Sequence, residues 1–173
     1  MSKKTEKLIE LLAEHYPSPD CAFIPEFRGG TGWGRESRAD AIAMHLWPSK
    51  GLELIGFELK TSRSDWLREL KQPDKCDPIK QFCDRWYLVV DEMEIVKHDS
   101  WNIEKSELPK DWGYMRISYE SYPYKLRVIK EAPKLDPQPV DRLFLASLMR
   151  RASNTHTEIN INGRTYKLSQ SKE

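Results

Sequence analysis

Two short stretches carry the side chains best suited to chemistry: Arg38-Ala39-Asp40, and Phe57-Glu58-Leu59-Lys60. Glu58 and Lys60 are two residues apart, so on a strand both leave the same face while Leu59 turns the other way. If the segment bearing Asp40 pairs with that strand as a hairpin, its carboxylate falls beside Glu58. Two carboxylates and an ammonium then surround one point. Hard divalent cations prefer oxygen ligands, and Mg²⁺ is commonly held by one or two carboxylates together with waters and a substrate phosphate. Such an ion polarises a phosphoryl group and acidifies a bound water, and a nearby ammonium can orient that water or offset developing negative charge. The backbone carbonyl of Leu59 is a third candidate ligand. The pattern therefore points to phosphodiester hydrolysis with Mg²⁺ or Mn²⁺ as cofactor, with Asp40, Glu58 and Lys60 as the catalytic set. A bare Glu-X-Lys is often only a solvated ion pair. Here it ends the apolar run Leu54-Ile55-Gly56-Phe57, where unpaired charge is costly.

Positioning these groups requires a particular set of elements. Leu8, Leu11, Leu12 and His15 follow helical spacing, which predicts an amphipathic helix over 4–15, stopped by Pro17 and Pro19. Residues 21–27 read as a strand. The glycine-rich run from Gly29 to Gly34 lacks the phosphate-loop pattern and is expected to be a loop, with Trp33 a candidate for stacking on a base. Residues 38–46 and 52–59 read as strands around the turn signal Pro48-Ser49-Lys50-Gly51. Ser62 or Ser64 can cap a helix bearing Trp66, Leu67 and Leu70, interrupted at Pro73. A second helix is expected over 78–83 and a buried strand over 85–90. Helix, strand hairpin, helix and strand in that order predict a single α/β domain, a central mixed β-sheet flanked by helices. Residues 94–131 read as further short strands and turns. A core over 1–132 is then followed over 133–173 by a linker with Pro133, Pro137 and Pro139, an amphipathic helix over 140–151, and a loose tail from Ser169.

Composition excludes more than it selects. In 173 residues, 28 basic and 27 acidic side chains nearly cancel, so a nucleic-acid face must come from local clustering. Cys21, Cys76 and Cys83 form no CxxC pair and the four histidines are scattered, which argues against structural zinc. The cysteines read as small buried hydrophobes in a reducing compartment. The first residues show neither a signal peptide nor a membrane span, so a cytoplasmic protein with no membrane partner is expected.

Three ordered blocks resemble the PD-(D/E)XK nuclease superfamily, and within it the MmcB-like group of bacterial DNA-repair nucleases. They are Arg38-Ala39-Asp40; Glu58-Leu59-Lys60-Thr61-Ser62-Arg63-Ser64-Asp65; and Cys83-Asp84-Arg85-Trp86-Tyr87-Leu88-Val89-Val90. The likeness spans roughly residues 20–91, with Ala39 in place of the proline of the family name. It implies a restriction-endonuclease-like core, with Asp40 and Glu58 on the metal and Lys60 as the catalytic lysine. It also makes Glu26, in the preceding strand, and Glu14 or Glu10, in the first helix, candidates for a further acidic ligand; of the helical pair Glu14 is favoured. Arg63, Lys71, Lys75 and Gln81 are the candidates for nucleic-acid contact, with a weaker extension to Arg150-Arg151. The expected partner is DNA, with RNA open as an alternative, and a homodimer is compatible with the chain. The implied activity is a repair or mobile-element accessory nuclease. The rival reading is a catalytically silent module of the same fold that binds nucleic acid or a protein partner.

Overall fold

The computed structural model describes residues 2–29, 37–72, 75–99, 102–120, 122–155, 158–161 and 164–167. In chain order these form α1 (Lys3–His15), β1 (Cys21–Gly29), β2 (Ser37–His45), β3 (Leu54–Lys60), α2 (Arg63–Leu70), α3 (Asp77–Lys80) and β4 (Arg85–Val90). They continue with β5 (His98–Asp99), β6 (Asn102–Ser106), β7 (Gly113–Ser118), β8 (Lys125–Lys130), α4 (Arg142–Thr155), β9 (Glu158–Ile161) and β10 (Arg164–Lys167). The glycine run after Gly29, Trp33, Pro73 and the tail from Ser169 lie outside the described residues.

The hairpin expected from the alternating pattern is present. β2 and β3 pair antiparallel with Ala41 opposite Phe57 and Ala43 opposite Ile55. A short 3₁₀ turn, Pro48–Lys50, closes it, and Gly51 takes the left-handed backbone (φ 77°) that glycine adopts without steric cost. β3 then pairs in parallel with β4, and β4 in parallel with β7. β1 and β8 complete a six-stranded mixed sheet in the order β1-β2-β3-β4-β7-β8. The chain is thus a single α/β domain with helices on both faces of this sheet. Strands from the stretch after residue 94 are therefore integral to the main sheet, because β7 covers the edge that β4 would otherwise expose.

Each face has its own core. On one side α1 lays Leu8, Leu11 and Leu12 against Ala41, Ala43, Phe57, Leu59 and Val89. Ser2 caps this helix by accepting from the Thr5 amide at 3.2 Å. On the other side Trp66 of α2, Ile79 of α3 and Phe144 of α4 pack over Ile42, Trp86, Leu88 and Val90. Ser62, of the two serines considered, is the α2 cap. The inward face of α2 carries Trp66 and Glu69, whereas Leu67, expected in the apolar stripe, is exposed. The helix expected over 78–83 is a single turn, Asp77–Lys80.

The segment 133–155 is joined to the core. The Leu135 amide donates to the Asp84 carbonyl at 2.8 Å, and that of Gln138 to the Gln81 carbonyl at 2.7 Å. The Phe144 ring centre lies 4.4 Å from that of Phe82, which it meets at a tilt, and 5.3 Å from that of Phe27, which it meets edge-on. β9 and β10, which the sequence reading did not foresee, flank Asn162-Gly163, a dipeptide favoured in tight hairpin turns. Among the described residues no helix is long and apolar enough to cross a membrane.

Gly56 is required by close approach. A Cβ there would collide with the Trp86 ring and sit 3.2 Å from the Cys83 sulfur. Both neighbours are fully buried, so neither can give way cheaply. Gly56→Ala is expected to destabilise the fold by about 2–3 kcal/mol through overpacking. A urea midpoint unchanged from wild type would show that the Trp86 ring moves freely.

Candidate active site

The site lies where β3 ends. The β2–β3 ladder runs to Ala41 opposite Phe57. One step further, Asp40 turns its side chain inward, and its Oδ2 accepts from the Leu59 amide at 2.8 Å. A carboxylate thus replaces a ladder carbonyl and is fixed beside Glu58. Strand alternation sends Glu58 and Lys60 to the α2 side, while Leu59 joins the α1 core, as their spacing predicts. Asp40, Glu58, Leu59 and Lys60 line one cleft of about 590 Å³, together with Thr5 of α1 and residues of α2.

A local irregularity aids this arrangement. Glu26, cross-strand from Asp40, holds a left-handed backbone (φ 49°), which is costly for a side chain with a Cβ. Alternation breaks there. Ile24 and Phe27 enter the same core although three residues apart, and so do Ile42 and Ala39 on the partner strand.

The charges are tightly balanced. Glu58 is 5% exposed and Lys60 9%. The Lys60 ammonium is ion-paired with Glu58 and lies 2.9 Å from Glu69, which is 7% exposed. Glu69 also receives Lys75 at 3.0 Å. Burial pushes the Glu58 carboxyl up, and the adjacent Asp40 charge pushes the same way, to about 8. Burial likewise raises Asp40, against the pull of the Leu59 amide and Lys60. For Lys60 burial acts downward, but the charge of Glu58 and the hydrogen bonds the ammonium donates to Glu58 and Glu69 outweigh it, so the ammonium is kept. Burial would raise Glu69, yet its bonds to Lys60 and Lys75 carry it below its ordinary value.

Three carboxyl groups therefore face two ammonium groups, and burial together with the repulsion between Asp40 and Glu58 favours a proton on Glu58. A hard cation would take that proton's place, with oxygen donors from Asp40, Glu58 and the Leu59 carbonyl. Among the described residues no three His, Cys, Asp or Glu side chains gather as a metal cage. A Mg²⁺-type site needs only one or two carboxylates when water and substrate complete the shell.

The other candidates separate clearly. Lys71 and Lys75 line the cleft. Arg63 does not: it pairs with Glu107, its second guanidinium nitrogen donating to Oε2 at 2.8 Å and its first to the Ile95 carbonyl at 2.8 Å. Trp66 Nε1 donates to the same carboxylate at 2.7 Å, so this cluster ties α2 to the stretch 95–107. Gln81 lies away from the cleft and donates to the Pro78 carbonyl at 3.0 Å. Glu26 is cross-strand from Asp40, but its side chain is exposed and meets Arg151 at 3.8 Å, outside the cleft. Glu10 and Glu14 are exposed, and the α1 residue that reaches the cleft is Thr5. The functional residue the sequence reading missed is Glu69. Its signal was present as a charged side chain one helical turn after the buried Trp66. Lys60 is largely enclosed, so its removal leaves two buried carboxylates short of a cation. No family model, curated protein or solved structure matches this chain.

The Glu58 carboxyl yields a pH prediction. Its folded value of about 8 stands above its ordinary 4.5, so between these the folded chain keeps a proton the unfolded chain has released. The stability this gives is complete below pH 4.5 and is lost as pH rises through 8. In metal-free buffer the urea midpoint is expected to fall across that window, and to fall less in Glu58→Gln, which has no proton to lose. Equal slopes in both proteins would assign the dependence to other groups.

Proposed function

We propose that this chain is a Mg²⁺- or Mn²⁺-dependent phosphodiesterase that cleaves DNA, a nuclease of the PD-(D/E)XK kind acting in repair or as a mobile-element accessory enzyme in the cytoplasm. The observation that carries the reading is the meeting of Asp40, Glu58 and Lys60 in one cleft at the end of β3. The resemblance of the three sequence blocks adds to it, as do the three buried cysteines, which form no disulfide and suit a reducing compartment.

Each residue has a definable task. Asp40 and Glu58, with the Leu59 carbonyl, would hold the ion. When bound, the ion supplies polarisation of a phosphoryl oxygen and acidification of a water. Asp40 is kept in place by the Leu59 amide, so its free oxygen is preoriented toward the cleft. Lys60 brings a fixed positive charge beside the scissile phosphate. Because Glu58 and Glu69 restrain its ammonium, little reorganisation is needed as charge develops there. Lys71 and Lys75 offer contacts to flanking phosphates. Lys75 is shared with Glu69, so its grip on a phosphate competes with that ion pair.

Single-turnover assays on single-stranded, duplex and branched DNA with Mg²⁺, Mn²⁺ or EDTA test the reading. Cleavage is expected with either ion and none with EDTA. Asp40→Asn and Lys60→Ala are expected to slow it about a hundredfold or more, the effect of losing a charge-stabilising group worth about 3 kcal/mol. Circular dichroism must show that each variant is folded, since Lys60 is enclosed. DNA binding without cleavage of any substrate by the wild type would favour the silent binding module.

Titration calorimetry with Mn²⁺ separates ligands from neighbours. Asp40→Ala and Glu58→Ala are expected to lose most of the binding, because carboxylate oxygens are the donors. Lys60→Ala is expected to keep it, since an ammonium has no lone pair to give. Unchanged affinity in Glu58→Ala would remove that residue from the metal site.

A further inference from the structure

The cleft does not end at α2. Because β3, β4 and β7 are parallel, Lys60, Val90 and Ser118 finish at the same edge of the sheet. The N-terminal part of α1 connects them. Thr5 lines the cleft, Lys4 lies 3.1 Å from Asp91 and 2.6 Å from Glu92 just after β4, and Lys7 reaches the β7–β8 connection. There its ammonium stands 5.0 Å from the Tyr119 ring centre and 4.3 Å from that of Tyr124.

That connection reads Tyr119-Glu120-Ser121-Tyr122-Pro123-Tyr124 in sequence. Tyr124 is anchored against the α1 core. Tyr119 meets it edge-on at 4.9 Å, and Tyr122 stands at 88° to it, 5.6 Å between centres. Tyr119 is 52% exposed and Tyr122 87%. An anchored ring thus supports two exposed ones, with the Lys7 ammonium over Tyr119 and Tyr124.

The geometry points to a base-stacking platform for single-stranded DNA, formed by Tyr119 and Tyr122 with Lys7 at the same edge of the sheet as the Asp40–Glu58–Lys60 cleft. The inference names the substrate class of that cleft and so rests on the nuclease reading. Exposed aromatic rings bind any unpaired base through its π-face, while a base inside a duplex is already stacked on both sides. β3 and β7 are two strand spacings apart, about 10 Å. A strand stacked on the tyrosines would pass Lys7 and Lys4 and enter the cleft, where Lys71 and Lys75 meet its backbone. Lys4 offsets part of the negative charge of Asp91 and Glu92 on the way, which lowers the repulsion a phosphate would feel.

The test is fluorescence anisotropy in EDTA, where nothing is cut, using a labelled oligothymidine and a duplex of equal length. The wild-type chain is expected to bind the single strand more tightly. Tyr122→Ala is expected to weaken that binding about tenfold, and Tyr119→Ala combined with it about a hundredfold, one stacked base being lost at each step. Tyr122→Phe keeps the ring and is expected to bind as wild type. Tyr122 is almost wholly exposed, so its truncation leaves the core untouched. Wild-type binding by Tyr122→Ala, an equal loss on the duplex, or no preference for the single strand in the wild type would each overturn the platform. The two readings fail separately. A wild-type chain that cuts nothing with Mg²⁺ but binds single strands through Tyr122 sinks the nuclease and keeps the platform. A chain that cuts DNA while Tyr122→Ala binds as wild type does the reverse.

Discussion

Three carboxylates and one lysine meet at the end of β3, and a low-dielectric interior penalises every one of them separately. Lys60 is the group that makes the arrangement tenable, because it lies between Glu58 of its own strand and Glu69 of the covering helix. The neighbourhood of the cleft follows from this. α2 packs with Trp66 and Glu69 inward, so the helix is bound to the sheet by an ion pair as well as by apolar contact. Lys75 is drawn to Glu69 from beyond the helix end. Asp40 is left without an ammonium of its own and takes a backbone amide instead. A buried pair of this kind contributes little net stability, because desolvation offsets the attraction. Its effect is positional, since an ammonium with two buried anionic neighbours has few other places to go.

The same enclosure distinguishes Lys60 from Lys71, which lines the cleft from the end of the helix. One is a fixed charge at a single point, the other a cation on a flexible stem. Under the proposed nuclease reading, the fixed charge would serve the reacting phosphate and the charge on the flexible stem a backbone passing by.

Local pattern made much of this legible in advance. The amphipathic repeat of α1, the β2–β3 hairpin and the apolar run of β4 each report a periodicity that the sheet then uses, and the two-residue spacing of Glu58 and Lys60 gave their common face. What escaped depends on partners distant in sequence. Arg63 follows the active strand and reads as a phosphate contact, but Glu107, far along the chain, claims its guanidinium. Leu67, expected inward, is exposed, while Glu69 turns in to meet Lys60, and hydropathy alone cannot see a buried counter-ion. Gln81 belongs to a one-turn helix whose end faces the returning segment 135–138, away from the cleft. Thr5 and the tyrosines of the β7–β8 connection carry no motif, and only the parallel order of β3, β4 and β7 brings them to the same edge.

The left-handed backbone at Glu26 has a mechanical side. Before it, odd-numbered Cys21 faces the α1 layer; after it, odd-numbered Phe27 faces α4 together with Ile24. The alternation of β1 slips by one at that residue, whose cross-strand neighbour is Asp40. Phe27 packs against Phe144 and the Pro25 carbonyl accepts from Arg151, so this part of β1 is tied to α4. Asp40, on the next strand, is tied in turn to the Leu59 amide of the strand that carries Glu58 and Lys60. The C-terminal helix and the cleft are thus joined through two neighbouring strands, and a weakened grip of α4 on β1 would be felt first at the Asp40 side of the cleft.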